Sequence, residues 1–386
     1  MPTVNRREFL KRSAVATGAL ATAPMLIRIP PSPGEQPATR ITRTLGRTGM
    51  KIPIVSMGVM RADNPALVRA ALKAGIVYLD TAHGYQKGKN EEMLGELLKE
   101  YPRDSFIIST KVPPEESQEA FLEKLDISLK RLRMDHVDIL YLHGPSSREA
   151  TLDPVMLGTL QEAKKSGKTR FVGVSTHKNE PEVILAAAES KVHDVVLASI
   201  NFKQDHADQM KEAIAKAAEA GIGIVAMKTM AGGFFDRDKA KPVNCRAALK
   251  WVLQNPNVTT AIPGMTTFDQ LADNAAVNQD LAFTEEERKA LVQGEAQGGL
   301  YCNACERCVP SCSKNLPIPE LMRAYMYAYG YGSPALGREL VTINGLQPNP
   351  CADCRTCTAD CVKGFDLREK ITDVSRLAAV PEEFLA

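Results

Sequence analysis

Residues 106–112 read FIISTKV and residues 137–143 read VDILYLH, and these two runs decide the architecture of the chain. Both are short, apolar through the middle and rich in β-branched side chains, with a polar residue, Lys111 or His143, at or beside the C-terminal end. Strands that are apolar almost throughout, rather than alternating, belong to a parallel sheet covered on both faces. Six further runs of this kind are Ile52–Val59, Ile76–Thr81, Phe171–Ser175, Val195–Asn201, Ile222–Lys228 and Thr259–Pro263, the whole set spaced roughly 25–35 residues apart. Amphipathic helices fill the intervals. Asn64-Pro65 opens one as cap and first-turn proline; Leu67, Val68, Ala71 and Leu72 form its stripe, and Gly75 stops it. Another carries Leu122, Leu125, Leu129 and Leu132 on one face. Eight strand–helix units predict an α/β fold of the (β/α)₈ TIM-barrel type. The competing open, doubly wound sheet lacks its expected G-x-G-x-x-G after the first strand.

In such a barrel the chemistry sits where strands end and loops begin. Asp80, Lys111, His143, Ser175, Asn201 and Lys228 stand at the ends of strands two to seven. One polar residue there is ordinarily the first solvated position; six in succession point to a site. His83 is expected at the rim with no role, and His136, His177, His193 and His206 at the surface or in loops.

Eight of the nine cysteines lie between residues 302 and 361. Cys302, Cys305, Cys308 and Cys312 form a C-x₂-C-x₂-C-x₃-C run, and Cys351, Cys354, Cys357 and Cys361 repeat it. Bacterial ferredoxins hold 4Fe–4S clusters with this spacing, and the fourth cysteine of each run serves the other cluster. Cys302, Cys305, Cys308 and Cys361 are therefore expected to hold one cluster, and Cys351, Cys354, Cys357 and Cys312 the second. Ser313 and Val362 replace the proline that often follows the fourth cysteine. Paired zinc sites would also use eight thiolates. Four disulfides would suit an exported protein but strain between cysteines so close in sequence. Residues Ile318–Gly330 have helical periodicity, so the module reads as an α-helical ferredoxin; Cys245 reads as a packed helix residue.

The N-terminus carries NRREFLK at residues 5–11 and an alanine-rich apolar run from Ala14 to Ile29, the pattern of a twin-arginine export signal rather than an accidental basic end. The run is too short and too rich in alanine to read as a membrane-spanning helix. Ala21-Thr22-Ala23 resembles a cleavage site, with Pro24 unfavourably placed after it; Pro30–Arg40 has a linker's composition. Expected partners are thus the twin-arginine export machinery and a redox protein, with a periplasmic location or one on the outer face of the cytoplasmic membrane. Forty-eight basic residues against 46 acidic ones leave a net charge of +2, which argues against nucleic acid as a partner.

The segments ITRTLGRTGMKIPIVSMG, LDTAHGY, NEEMLGELL, STKV, DILYLHG, FVGVSTH and AIPG occur in the order and on the strands of the aldo/keto reductase superfamily, which residues 41–283 resemble. Past residue 300 the resemblance extends to the branch with a C-terminal ferredoxin-like module. It implies three regions: a signal and linker over 1–40, a reductase barrel over 41–295 and an iron–sulfur domain over 296–386. It implies a catalytic tetrad of Asp80, Tyr85, Lys111 and His143, in which the Lys111 ammonium lowers the Tyr85 pKa toward the working range. For an NAD(P)H cofactor it implies Ser175, Thr176 and Asn201 at the carboxamide and Met227 and Lys228 beside the ring. Gly264, Thr266, Gln270, Asp273 and Asn274 fall at the adenosine end. The family's usual asparagine and glutamine are replaced by Thr176 and Leu197, its stacking tyrosine by Met227, and the cations that pair with a 2′-phosphate by Gly264 and Gln270. The expected activity is hydride transfer between a nicotinamide and a small carbonyl or alcohol, the clusters being structural or electron-carrying. The alternative is an iron–sulfur electron-transfer protein on a barrel scaffold, with flavin or without nicotinamide chemistry.

Overall fold

The computed structural model describes residues 40–296 and 298–385. The twin-arginine motif and nearly all of the linker lie outside the described residues. Ten strands are seen: β1 (Thr42–Thr44), β2 (Lys51–Pro53), β3 (Met57–Gly58), β4 (Tyr78–Asp80), β5 (Ile107–Val112), β6 (Val137–His143), β7 (Thr169–Thr176), β8 (Val195–Ser199), β9 (Gly223–Met227) and β10 (Val258–Ala261). β3 to β10 form one parallel sheet in sequence order. Parallel bridges from Val55 to Ala261 and from Gly58 to Gly264 bring the first strand against the last and close it. A doubly wound sheet would reverse strand order partway; this one does not, and the fold is the (β/α)₈ barrel.

The expected first strand, Ile52–Val59, is divided. Its first residues pair with β1 in an antiparallel hairpin, and only Met57–Gly58 enter the barrel as β3. The hairpin plugs the N-terminal end of the cylinder, where Leu45, Met50 and Ile52 pack with interior residues Tyr78, Tyr141, Val225 and Ile262. Gly46 makes this closeness possible: its φ is +47°, and a Cβ there would lie 2.3 Å from the Gly223 nitrogen.

Helices form where expected. Asn64 caps Pro65–Lys73 by accepting from the Ala66 N–H at 2.9 Å, and Leu67, Val68 and Ala71 are buried beneath it, while Leu72 is half-buried. Beyond the barrel, Ile318–Tyr325, Pro334–Ile343 and Leu367–Ser375 are helical. They share a second core with Phe202, Ala231, Val243 and Ala248 from the loops and helix on the barrel's C-terminal side. The C-terminal segment therefore packs on the end of the barrel where the strands finish, opposite the hairpin.

Gly46→Ala should destabilise the protein by at least about 2 kcal/mol more than Gly49→Ala. Both residues have positive φ, but nothing lies within 4 Å of a Cβ built on Gly49. Denaturant midpoints check this; equal losses would show that the plug is not tightly seated.

Candidate active site

The ends of β4 and β5 bring together three of the four expected side chains. Strand pairing aligns Asp80 with Ser109 and Lys111 with Tyr141, so both functional side chains enter the interior near the C-terminal rim. Lys111 Nζ donates to Asp80 Oδ2 at 2.6 Å, to the Thr81 carbonyl at 2.6 Å and to Tyr85 Oη at 3.1 Å. All three ammonium protons are thereby used, and Lys111 is 1% exposed. Ser109 Oγ donates to the other oxygen of Asp80 at 2.7 Å. Tyr85 opens a short turn, Tyr85–Gly88, in which Gln86 and Lys87 adopt left-handed backbone conformations. That turn aims the phenol back over the rim. His143 closes β6, and its ring stands edge-on to Tyr85 with centroids 6.2 Å apart.

Electrostatics here differ from the sequence expectation in one respect. The Tyr85 phenol is held above its ordinary value, because burial outweighs the pull of Lys111 and Asp80 opposes it. The expected net lowering does not occur: burial of the phenol outweighs the pull of the ammonium, and Asp80 adds a smaller push in the same direction as burial. Lys111 itself stays charged, since Asp80 and Tyr85 outweigh the effect of burial. His143 is pushed down to about 3 by burial, reinforced by Lys111, Arg323 and Lys228. At neutral pH the rim therefore presents a protonated phenol and a neutral imidazole.

The residues expected around the nicotinamide lie on the same rim. Ser175 and Thr176 are buried at the end of β7, the Thr176 hydroxyl donating to the Lys178 carbonyl at 2.9 Å. Asn201 lies two residues past β8; its Oδ1 accepts from the Lys203 N–H, while its buried Nδ2 has no partner among the described residues. Met227 ends β9, half-buried, and Lys228 follows it at φ +54°. At the adenosine end, Gly264 is exposed and bridges Gly58, and the Thr266 N–H donates to Gln270 Oε1 at 2.8 Å. Asn274 is buried with Oδ1 unpartnered. Asp273 is engaged by Arg246 at 2.7 Å, a guanidinium that the motif pattern did not mark. An orphan donor at the carboxamide end and an orphan acceptor at the adenine end fit the edges of a nicotinamide adenine dinucleotide.

The cysteines divide between two cavities. One is lined by Cys302, Cys305, Cys308 and Cys361, the other by Cys312, Cys351, Cys354 and Cys357. The fourth cysteine of each run thus stands with the first three of the other. No two of the nine cysteines are bonded to one another. Burial raises Cys302 to about 12, opposed by the Ala304 N–H and reinforced by the sulfurs of Cys361, Cys308 and Cys305. Among the described residues, no three Cys, His, Asp or Glu side chains converge closely enough to hold a single metal ion. A cubane cluster is a larger object whose thiolate ligands stand further apart. The first cavity is tied to the barrel: Asn303 donates to Asp205 at 2.7 Å, Lys363 pairs with the same carboxylate, and Glu306 takes Lys178 at 2.5 Å.

Two histidines depart from expectation. His193 is fully buried, with Nε2 3.5 Å from the Thr151 carbonyl, because its loop is covered by neighbouring helices. His177 is half-buried at the rim, where Arg323 Nη1 approaches its ring nitrogens at 3.2 and 3.3 Å. His83, half-buried, bonds Ser128 at 2.9 Å and has a structural place at the rim. Cys245 begins a helix, half-buried, with its thiol on the Val243 carbonyl. The aromatic and cationic side chains of Ile318–Gly330 that reach the rim were missed. Their helix was legible, but the face it turns to the barrel depends on docking.

Comparison with known proteins agrees with this geometry. Residues 48–247 match the model of the aldo/keto reductase family. The chain is 26% identical over 299 residues to an L-galactose dehydrogenase of Arabidopsis thaliana, covering 66% of this chain and 93% of that protein. It is 30% identical over 270 residues to a methylglyoxal reductase of Salmonella typhi, covering 66% and 95%. Among solved structures, an aldo-keto reductase from Klebsiella pneumoniae in complex with NADPH superposes with a TM-score of 0.54 at 21% identity, covering 67% and 96%. An aldo-keto reductase from Bacillus halodurans gives 0.55 at 23% identity, covering 66% and 96%. With the closed barrel and the lysine-centred rim already established, the chain belongs to the aldo/keto reductase family and is an NAD(P)-dependent oxidoreductase.

Proposed function

We propose that the chain reduces small aldehydes or ketones with NAD(P)H through Tyr85, and carries two 4Fe–4S clusters in the module after the barrel. The observation that carries the first part is Lys111 Nζ bonded at once to Asp80 and to Tyr85. A bound nicotinamide supplies hydride to the carbonyl carbon. Everything else falls to side chains of this chain. Tyr85 gives its proton to the carbonyl oxygen, and the phenolate left behind is stabilised by the ammonium 3.1 Å away. Asp80 keeps Lys111 charged and aimed. His143, neutral, donates a hydrogen bond to the same oxygen as charge develops on it. Ser175, Thr176 and Asn201 would hold the carboxamide, and Met227 and Lys228 would stand beside the ring when the nicotinamide is bound. Gly264, Thr266, Gln270, Asp273 and Asn274 hold the adenosine portion.

Two features of the mouth favour reduction. A phenol held above its ordinary value keeps its proton at neutral pH, and a neutral imidazole remains a hydrogen-bond donor there. The names of the relatives, a galactose dehydrogenase and a methylglyoxal reductase, indicate small sugars and aldehydes as substrate classes.

The cysteine cavities support the crossed ligand sets, Cys302, Cys305, Cys308 and Cys361 for one cluster and Cys351, Cys354, Cys357 and Cys312 for the other. Such clusters carry single electrons, which suits a redox partner protein. The paired Arg6 and Arg7 support export in the folded state to the periplasm or the outer face of the cytoplasmic membrane, since cofactors must be inserted before that route.

Tyr85→Phe should lower kcat for carbonyl reduction by about 10²–10⁴-fold and leave the dinucleotide Kd unchanged. Retained turnover in a steady-state assay would remove the phenol from the reaction. The pH profile follows from the shifts. The Tyr85 pKa is raised, so the acid form persists through neutrality, and His143 charges only near pH 3. Reductive kcat/KM should be flat from about pH 5 to about pH 9. A limb near the ordinary histidine value would contradict the neutral His143. For the module, Cys361→Ser should disturb the cluster of Cys302, Cys305 and Cys308 and spare the other. Iron content near half and one surviving electron paramagnetic resonance signal after reduction would show it; loss confined to the Cys351 run would overturn the crossing.

A further inference from the structure

We infer that Asp205 is a positioning residue for the dinucleotide: it ties the chain on both sides of the first cysteine cavity to the loop that carries Asn201, and so sets how firmly the nicotinamide end is held. The inference rests on the placing of Asn201 at the carboxamide.

The loop runs from Asn201 to Asp205, just past the end of β8, and its own hydrogen bonds make it one piece. The inner half is fixed to the barrel. The Asn201 N–H donates to Gln204 Oε1 at 3.1 Å, and Gln204 Nε2 donates to the Ser199 carbonyl at 3.0 Å. The outer half orients the Asn201 side chain, because the Lys203 N–H donates to Asn201 Oδ1 at 3.0 Å. Contacts that hold Lys203 and Asp205 in place therefore also hold the Asn201 amide.

One such contact runs from Lys203 Nζ to the Gly294 carbonyl at 2.9 Å, and the others come from the cysteine module. Asp205 Oδ2 accepts from Asn303 Nδ2 at 2.7 Å, and Oδ1 pairs with Lys363. Lys363 Nζ also reaches the Lys203 carbonyl at 3.4 Å. Asn303 follows Cys302, and Lys363 stands two residues past Cys361; all four line the same cavity. Segments far apart in the chain thus meet at one carboxylate. A carboxylate suits this place, since it accepts at both oxygens at once and one of the two bonds is charge-assisted. Tyr301, on the other side of Cys302, lies against Asn201 itself. Glu306, in the same cysteine run, takes Lys178 at 2.5 Å, and the Lys178 carbonyl accepts from Thr176. Two of the three carboxamide residues are therefore reached from the first cavity.

The second cavity is bonded differently. Lys314 there pairs with Asp353 at 3.5 Å, Thr358 Oγ1 donates to the Ser311 carbonyl at 2.5 Å, and Arg368 donates to the Arg355 carbonyl at 3.3 Å. These contacts stay within the C-terminal segment. The route to the nicotinamide end starts at the first cavity.

Calorimetry on the full chain tests this with NADPH and with 2′-phospho-ADP-ribose, the same molecule without its nicotinamide. The Asp205 side chain is 49% exposed, so solvent keeps the effect moderate. Asp205→Ala should weaken NADPH binding by about three- to tenfold. Binding of 2′-phospho-ADP-ribose should be unchanged, and Asp205→Glu should restore part of the loss. Asp353→Ala, which breaks the ion pair at the second cavity, should change neither ligand. Wild-type affinity for NADPH in the Asp205→Ala protein overturns the inference. An equal loss for both ligands also overturns it, because that would be a general loosening of the fold, and so does an equal loss in Asp353→Ala. Asn201→Ala separates the inference from the reading beneath it. If Asn201→Ala weakens NADPH alone and Asp205→Ala does not, Asn201 keeps its place and Asp205 loses its own; if neither has an effect, both fail.

Discussion

A lysine ammonium with almost no exposure is the constraint around which the mouth of the barrel is built. Burying a charge is costly unless it is paired and hydrogen-bonded. Lys111 meets that condition with one carboxylate, one carbonyl and one phenol. Removing either charged partner would leave the other ion uncompensated in the interior, a loss of about 3–5 kcal/mol in comparable sites. The arrangement is therefore part of the fold and of the chemistry together. Asp80 keeps Lys111 charged, while burial keeps Tyr85 protonated. The stabilisation by Lys111 is then felt mainly by the phenolate that forms during the reaction, which is where a catalyst gains.

Much of this was legible because parallel strands in sequence order carry their C-terminal residues to one rim. Once β4 to β9 are recognised as consecutive, Asp80, Lys111, His143 and Ser175 must cluster, and β6 and β7 do pair His143 with Ser175 directly. The grouping of the cysteines in the two cavities follows the ferredoxin spacing that the two runs resemble, in which the fourth cysteine of one run stands with the first three of the other. Three things were not. The sign of the Tyr85 shift depends on how much burial opposes one cation, and no motif encodes that balance. The division of Ile52–Val59 between plug and barrel depends on register, which an unbroken apolar run leaves open. The place of His177 at the rim depends on a helix 146 residues further along the chain.

That helix joins the two halves of the molecule. Its first residue, Ile318, lines both cysteine cavities, and its later residues reach the mouth of the barrel. Past Tyr325 it widens into a π-helical turn, Met326–Gly330, a form often found at functional sites. The turn sets Tyr327 over Lys228, stacked on Tyr331 with centroids 5.8 Å apart, and Arg61 from the loop after β3 reaches the outer ring. One helical stretch thus runs from the cysteine cavities to the mouth of the barrel.

The same arrangement bears on why the C-terminal segment sits where it does. A module that served only as an electron store could sit anywhere on the surface. This one is tied to the rim at Asp205 and Lys178, with Tyr301 packed against Asn201 one residue before the first cysteine. Whatever fills the cavities fixes the start of Ile318–Tyr325, and so fixes Arg323 and Tyr327 above the reacting groups. The segment can therefore shape the mouth of the barrel through its docking alone. The form of the mouth and the place of the two cysteine-lined cavities are then one consequence of how the C-terminal segment docks.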